Sequence, residues 1–239
     1  ESRGLGDVYK RQVSLMIMAL SGLFREDLVD WVYSATYQAA SGAGAKQMIE
    51  LMRQMEHLGG VAQRTLSAPA ATALDMERAV TAAQRAGDFP REHFPAPLAG
   101  GLIPWIDRAV AGGQSREEWK GHVELNKILA PRREIFVDGV CVRVGALRCH
   151  SQALMIKLGR DLPLEELTRI IAAGNAWVRV VENTPEATFK DLHPVRAAGT
   201  LDIMIGRLRK LRIGPEYLGA FTVGDQLLWG AAEPLRRML

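Results

Sequence analysis

The sequence predicts an α+β fold, a mixed β-sheet with helices on one face. Three observations lead there. Two segments rich in β-branched residues and alternating in polarity, EIFVDG and VCVRVGALRCHSQALMIKL, follow each other closely between residues 134 and 158, as strands of one sheet do. Amphipathic helical stretches are inserted irregularly between such segments rather than after every strand, which argues against a regular parallel array. No GxGxxG fingerprint joins a strand to a helix, so the 239 residues hold no complete dinucleotide-binding unit.

Taken in order, residues 13–25 carry the apolar periodicity of a helix, and VDWVYSATYQ at 29–38 alternates as a strand. The small-residue loop ASGAGAK comes next, then a helix from about Lys46 to His57. ALDMERAVTAAQRAG reads as a helix closed by Gly87. DFPREHFPAPLAGGLIPW, at 88–105, reads as a Pro/Gly-rich connection of a length that loops keep when they serve a purpose. Ser115 and Glu118 in SREEWKGHVELNKIL have the spacing of a capping box and fix a helix start there despite Gly121. LPLEELTRIIAAGN is a helix with Gly174 as its stop, TLDIMIGRLRKL and YLGAFTVG are strands, and GDQLLWGAAEPLRRML closes the chain as a helix.

Composition narrows the function classes. With 30 basic against 27 acidic residues the net charge is only +3, too mild to point to nucleic acid or to a membrane surface. The one basic run, RLRKLR at 207–212, alternates with leucine and so reads as a strand with a basic face. No apolar run approaches the ~18 residues of a membrane span. Cys141 and Cys149 form neither a CxxC pair nor a disulfide framework, which points to a reducing, cytoplasmic setting. Lys10, Arg11 and the apolar stretch Leu15 to Leu20 imitate a secretory signal, but Phe24 to Val32 continues an amphipathic pattern where a polar mature start would be required.

The stretch CVRVGALRCHS, residues 141–151, is the most suggestive for chemistry. Arg143 offers a planar fork suited to a carboxylate, and His150 a proton acceptor near neutral pH. On an unbroken strand, seven residues apart, they would face opposite sides, so a bend at Gly145 is the device expected to bring them together. The plainer reading is a sheet-edge arginine and a hydrogen-bonded core histidine. Glu117 and Lys120 share a helix face, either to grip an ammonium and an anion or simply as a solvated ion pair. Gln38 ends a strand just before Ser41, Gly42 and Gly44, where small residues let a ligand approach the backbone. His57, His93, His122 and His193 have no partners at metal-ligand spacing, so no metal site is read.

Six segments, TYQAASGAGA, PLAGGLIPWID, QSREEWKG, DGVCVRVGALRCHSQA, GRLRKL and FTVGDQLLWGAAEPLRRML, resemble in that order the bacterial aspartate-semialdehyde dehydrogenase family, from Val13 to Leu239. The resemblance implies a C-terminal domain of the glyceraldehyde-phosphate-dehydrogenase type in a cytoplasmic homodimer. In that family a cysteine thiolate attacks the aldehyde, hydride leaves to NADP, and phosphate cleaves the thioester to aspartyl phosphate. The reverse reaction serves lysine, threonine, methionine and diaminopimelate biosynthesis. By position, the resemblance makes His150 the general base, Arg143 the clamp on the substrate α-carboxylate, Glu117 the holder of the α-amino group, Lys120 a phosphate ligand and Gln38 a substrate-orienting amide. Ser41, Gly42, Pro69 and Gln226 correspond to contacts on NADP.

The same resemblance places the nucleophile where this chain has Arg11, with Gln12 in place of a threonine, and an NADP-binding domain before it. DVYKRQ is the translation of GAT GTG TAT AAG AGA CAG, which resembles an adapter used in making sequencing libraries. Residues 1–12 are therefore expected to be a non-native leader, 13–224 the catalytic and dimerisation domain, and 225–239 a helix that packs on the nucleotide-binding domain. The chain itself is expected to be inactive. Two alternatives stay open: an enzyme resembling N-acetyl-glutamyl-phosphate reductase, which needs no ammonium-binding carboxylate, and a non-catalytic dimerisation or interaction module.

Overall fold

A computed structural model describes residues 11–232; most of the leader expected over 1–12, and the last seven residues of the closing helix, lie outside these. Seven strands form one sheet: β1 (Val29–Gln38), β2 (Leu102–Ile103), β3 (Phe136–Val144), β4 (His150–Leu158), β5 (Val178–Val180), β6 (Ile203–Lys210) and β7 (Tyr217–Gly224). Their order is β2-β3-β1-β4-β7-β6-β5. β1 runs parallel to β3 and β5 to β6, while the other neighbours are antiparallel, so the sheet is mixed as the sequence predicts.

Alternation along the strands decides which face is buried. Val32, Val137, Leu154, Ile156, Ile203, Ile205 and Leu218 point to one side and meet α1 (Arg11–Ala19), α2 (Ser21–Arg25), α5 (Arg116–Leu129) and α6 (Leu164–Ala172) in the main core. Fully buried side chains here, such as Leu23 and Ile171, each stand for about 2–5 kcal/mol on truncation to alanine. The helix expected over 13–25 is divided at Leu20, whose φ of −106° and ψ of 10° leave the helical region and turn both Leu20 and Leu23 inward. Gly174 has no left-handed φ; its role is contact, since a Cβ there would lie 2.5 Å from Ser21 Oγ, and one at Gly22 2.1 Å from the Ile170 carbonyl oxygen.

α3 (Ala45–Leu66) runs nine residues past the expected end at His57, through Gly59 and Gly60, because α4 (Ala73–Arg85) packs along it. The capping box of α4 is made by Thr72 and Asp75, and the helix ends two residues before Gly87. The long connection after it is pinned to α3. Glu50 accepts hydrogen bonds from the His93 and Phe94 amides at 2.6 and 3.0 Å; Gln54 accepts from those of Leu98 and Ala99 at 2.9 Å and donates to the Pro90 carbonyl at 2.7 Å.

On the opposite face, α7 (Pro185–Asp191) and α8 (Pro194–Ala197), in a stretch that the sequence reading left unassigned, cover the β6 end with Leu192 and Ala197 against Met204 and Val223. Elsewhere this face carries exposed Tyr33, Tyr37 and Phe136. Among the described residues no helix is long and apolar enough to cross a membrane.

Candidate active site

Three strand ends meet at one edge of the sheet. β1 ends at Gln38, directly beside Arg143 near the end of parallel β3, and antiparallel β4 begins at His150 on the other side. Arg143 and His150 therefore converge because β1 lies between their strands. The expected bend at Gly145 takes part in this: β3 stops at Val144, the chain bends at Gly145 and reverses through 145–149 to the other side of β1, and Gly145 also makes room for the Leu98 carbonyl oxygen, 3.1 Å from where its Cβ would sit.

Both side chains are buried and both are tethered to one residue. The Ala39 amide donates to His150 Nδ1 at 3.1 Å, and the Ala39 carbonyl accepts from Arg143 Nη1 at 2.8 Å. With Nδ1 receiving an N–H, a neutral imidazole carries its own proton on Nε2. Gly42 covers the pair so closely that a Cβ there would lie 2.7 Å from Arg143 Nη1 and 2.9 Å from His150 Nε2. Gln38, also buried, donates its amide to Thr36 Oγ1 at 3.3 Å. The loop is zipped to the turn before β4 by Ala40 N–H to the Ala146 carbonyl, 2.9 Å, and Ser41 N–H to that of Leu147, 3.0 Å.

Gln226, just beyond β7, donates to Ser41 Oγ, which unites two of the residues expected at the cofactor. Among the described residues its buried Oε1 finds no partner, an acceptor that a carboxamide donor would satisfy. Pro69 is not brought here. It is exposed beyond the far end of α3, and 22 residues of helix span about 33 Å.

Glu117 and Lys120 do share a face, and the lysine is held at 3.1 Å by Glu117 and at 3.1 Å by Asp107. Asp107 was not read from the sequence, for it lies 13 residues away in a loop and has no periodic relation to the helix. Burial pulls the Lys120 pKa down, but the two carboxylates outweigh it and leave the group above its usual value. Asp107 is held below its usual value, first by the Arg108 amide and then by Lys120. The firm helix start is confirmed, with Ser115 and Glu118 capping each other's backbone groups, and Glu118 also accepts from the Cys141 amide at 3.0 Å. The Cys149 thiol is pushed up to about 12 by burial and by Asp225, against relief from Arg148, so it is no thiolate nucleophile at neutral pH.

Against known proteins, the family described as semialdehyde dehydrogenase, dimerisation domain, matches residues 20–229. The chain belongs to that family. Among solved structures it is similar to aspartate semialdehyde dehydrogenase from Francisella tularensis, with 46% identity and a TM-score of 0.92 over 96% of this chain and 62% of that one. It shares its fold with aspartate semialdehyde dehydrogenase II complexed with ASA from Vibrio cholerae, at 23% identity and a TM-score of 0.73 over 94% of this chain and 57% of that one. The same holds for aspartate semialdehyde dehydrogenase with NADP from Candida albicans, at 14% identity and a TM-score of 0.58 over 94% and 53%. The chain thus spans between 53% and 62% of the length of these three proteins. In this semialdehyde dehydrogenase domain the sheet is that of a glyceraldehyde-phosphate-dehydrogenase-like C-terminal domain, as the resemblance implied.

Proposed function

We propose that this domain binds the substrate in the interconversion of L-aspartate 4-semialdehyde, phosphate and NADP with L-aspartyl 4-phosphate and NADPH, in the cytoplasm and as a homodimer. The observation that carries the reading is the buried pairing of Arg143 and His150 on either side of Ala39, next to Gln38. A guanidinium fork in a dry site suits a carboxylate. Glu117 answers the α-ammonium and Lys120 the phosphate, to which Asp107 must yield a share of the lysine. Gln38 orients the reacting carbonyl, and His150, which the resemblance makes the general base, in its neutral Nε2–H form donates to that carbonyl and does not take a proton at Nε2.

The residues present fit the polar end of a nicotinamide cofactor, since Gln226 Oε1 is a buried acceptor that no described residue supplies with a donor, beside Ser41 and Gly42. When bound, NADP supplies the hydride acceptor. Pairing of two copies is supported by the exposed aromatic side chains on the open sheet face. Because Arg11 occupies the position the resemblance gives to the thiol, binding rather than turnover is the property proposed for the chain as given.

Calorimetric titration with L-aspartate 4-semialdehyde tests the reading. Binding should be abolished by Arg143→Leu and weakened by Glu117→Gln. Tight binding that ignores both changes would sink it, and tight binding of an N-acetylated acyl ligand that ignores only Glu117→Gln would favour the acyl-phosphate reductase alternative.

A further inference from the structure

Asp225 is the first residue beyond β7, fully buried and adjacent to Gly224, which pairs with His150 across the sheet. Both oxygens of its carboxylate are engaged. Oδ2 meets Arg148 Nη2 at 2.6 Å and the Gly199 amide at 2.7 Å, while Oδ1 accepts from the Leu227 amide at 3.0 Å. Arg148 belongs to the five-residue turn 145–149 that delivers His150, and the residue between them, Cys149, is held at φ 75°, a conformation that L residues disfavour. The turn is gripped from two sides: by the loop amides of Ala40 and Ser41 on one, and by Asp225 through Arg148 on the other.

We infer that Asp225 and Arg148 are positioning residues for His150. Their ion pair fixes the strained turn so that Nδ1 of the imidazole meets the Ala39 amide, and this confines the neutral ring to its Nε2–H tautomer. In that state the edge facing Gly42 and Arg143 is a hydrogen-bond donor, suited to hold a carbonyl oxygen of an anionic ligand. The inference rests on the proposed function in taking His150 as a site residue.

The test is two-bond ¹H–¹⁵N spectroscopy of the His150 ring together with hydrogen exchange at the Ala39 amide. The unaltered chain should show a single Nε2–H form. Asp225→Asn and Arg148→Gln should each give a mixture of tautomers and speed exchange at Ala39 at least tenfold relative to the Ile156 amide in the core, while Arg148→Lys should keep the parent signature. Retention of the pure tautomer and of Ala39 protection in both uncharged variants would overturn the inference, even if melting temperatures fell, because that is the mark of a merely structural pair. Should Asp225→Asn fail to fold, Arg148→Gln decides, its side chain being 36% exposed. Neither readout depends on ligand binding, so a failure of the proposed function and a failure of this inference are separately visible.

Discussion

Replacing Gly42 by alanine should damage the site while sparing the fold. The new Cβ would stand 2.7 Å from Arg143 Nη1 and 2.8 and 2.9 Å from two ring atoms of His150, where ordinary contact begins at 3.4 Å. The arginine tip must therefore withdraw by about 0.7 Å, and the ring by slightly less. Both are side chains and not main chain, so rotation relieves part of the clash, at about 1–3 kcal/mol of overpacking. The same displacement breaks the shared tether to Ala39. A misplacement on the order of 1 Å in a positioned site costs about a hundredfold, so a loss of tenfold or more in affinity for L-aspartate 4-semialdehyde is expected, about 1.4 kcal/mol or above. Gly139→Ala is the contrast, because its Cβ would lie 2.0 Å from the Ser34 carbonyl oxygen, main chain that cannot rotate away. That variant should lose about 3 kcal/mol or more by forcing β1 from β3. Denaturant unfolding and calorimetric titration of both variants separate the effects. Unchanged affinity in Gly42→Ala, or a stability loss matching that of Gly139→Ala, would refute the reasoning.

Lys120→Met should abolish phosphate binding and leave a stability deficit that depends on pH. The raised lysine contributes stability that is complete below its usual 10.5 and lost as pH climbs through the folded value. Asp107, held low, contributes above its usual 3.8 and loses that as pH falls through its folded value. The deficit should accordingly be largest between these limits and shrink at both ends, and a deficit flat with pH would count against the triad. Glu50→Ala strands the His93 and Phe94 amides and should cost about 2–3 kcal/mol, with faster exchange at those two amides as the local check. Tyr37→Asp, on the open sheet face, should halve the mass seen in sedimentation with little change in monomer unfolding; an unaltered mass would remove this face from the dimer interface.

Much of this architecture is legible in the residues, and the exceptions have physical causes. β1 shows itself by alternation because one face of the strand is dry, and α5 by a capping box that is purely local. The end of α3 is hidden, since Gly59 and Gly60 argue for a stop and only packing against α4 overrides them. Arg143 and His150 stand out by chemistry, yet their meeting depends on β1 passing between their strands, a relation that spacing within residues 141–151 does not contain. Asp107 and Asp225 escape for the same reason, because each finds its arginine or lysine through the tertiary fold alone.

The polar grip of α3 on the stretch from Pro90 to Ala99 uses the main chain of that stretch and two side chains of the helix, beside the apolar packing of Leu51 on Phe94, Leu98 and Ala99. What Glu50 and Gln54 read is therefore amides and a carbonyl, which nearly every residue supplies. The exposed positions of the connection are free to drift in sequence provided that proline avoids the four donating positions, whereas Glu50, Gln54 and the buried Phe94, Leu98 and Ala99 are held in place. Conservation in this part of the molecule should accordingly gather on Glu50 and Gln54 and on the apolar contacts with Leu51, and relax at the exposed positions of the loop whose shape they set.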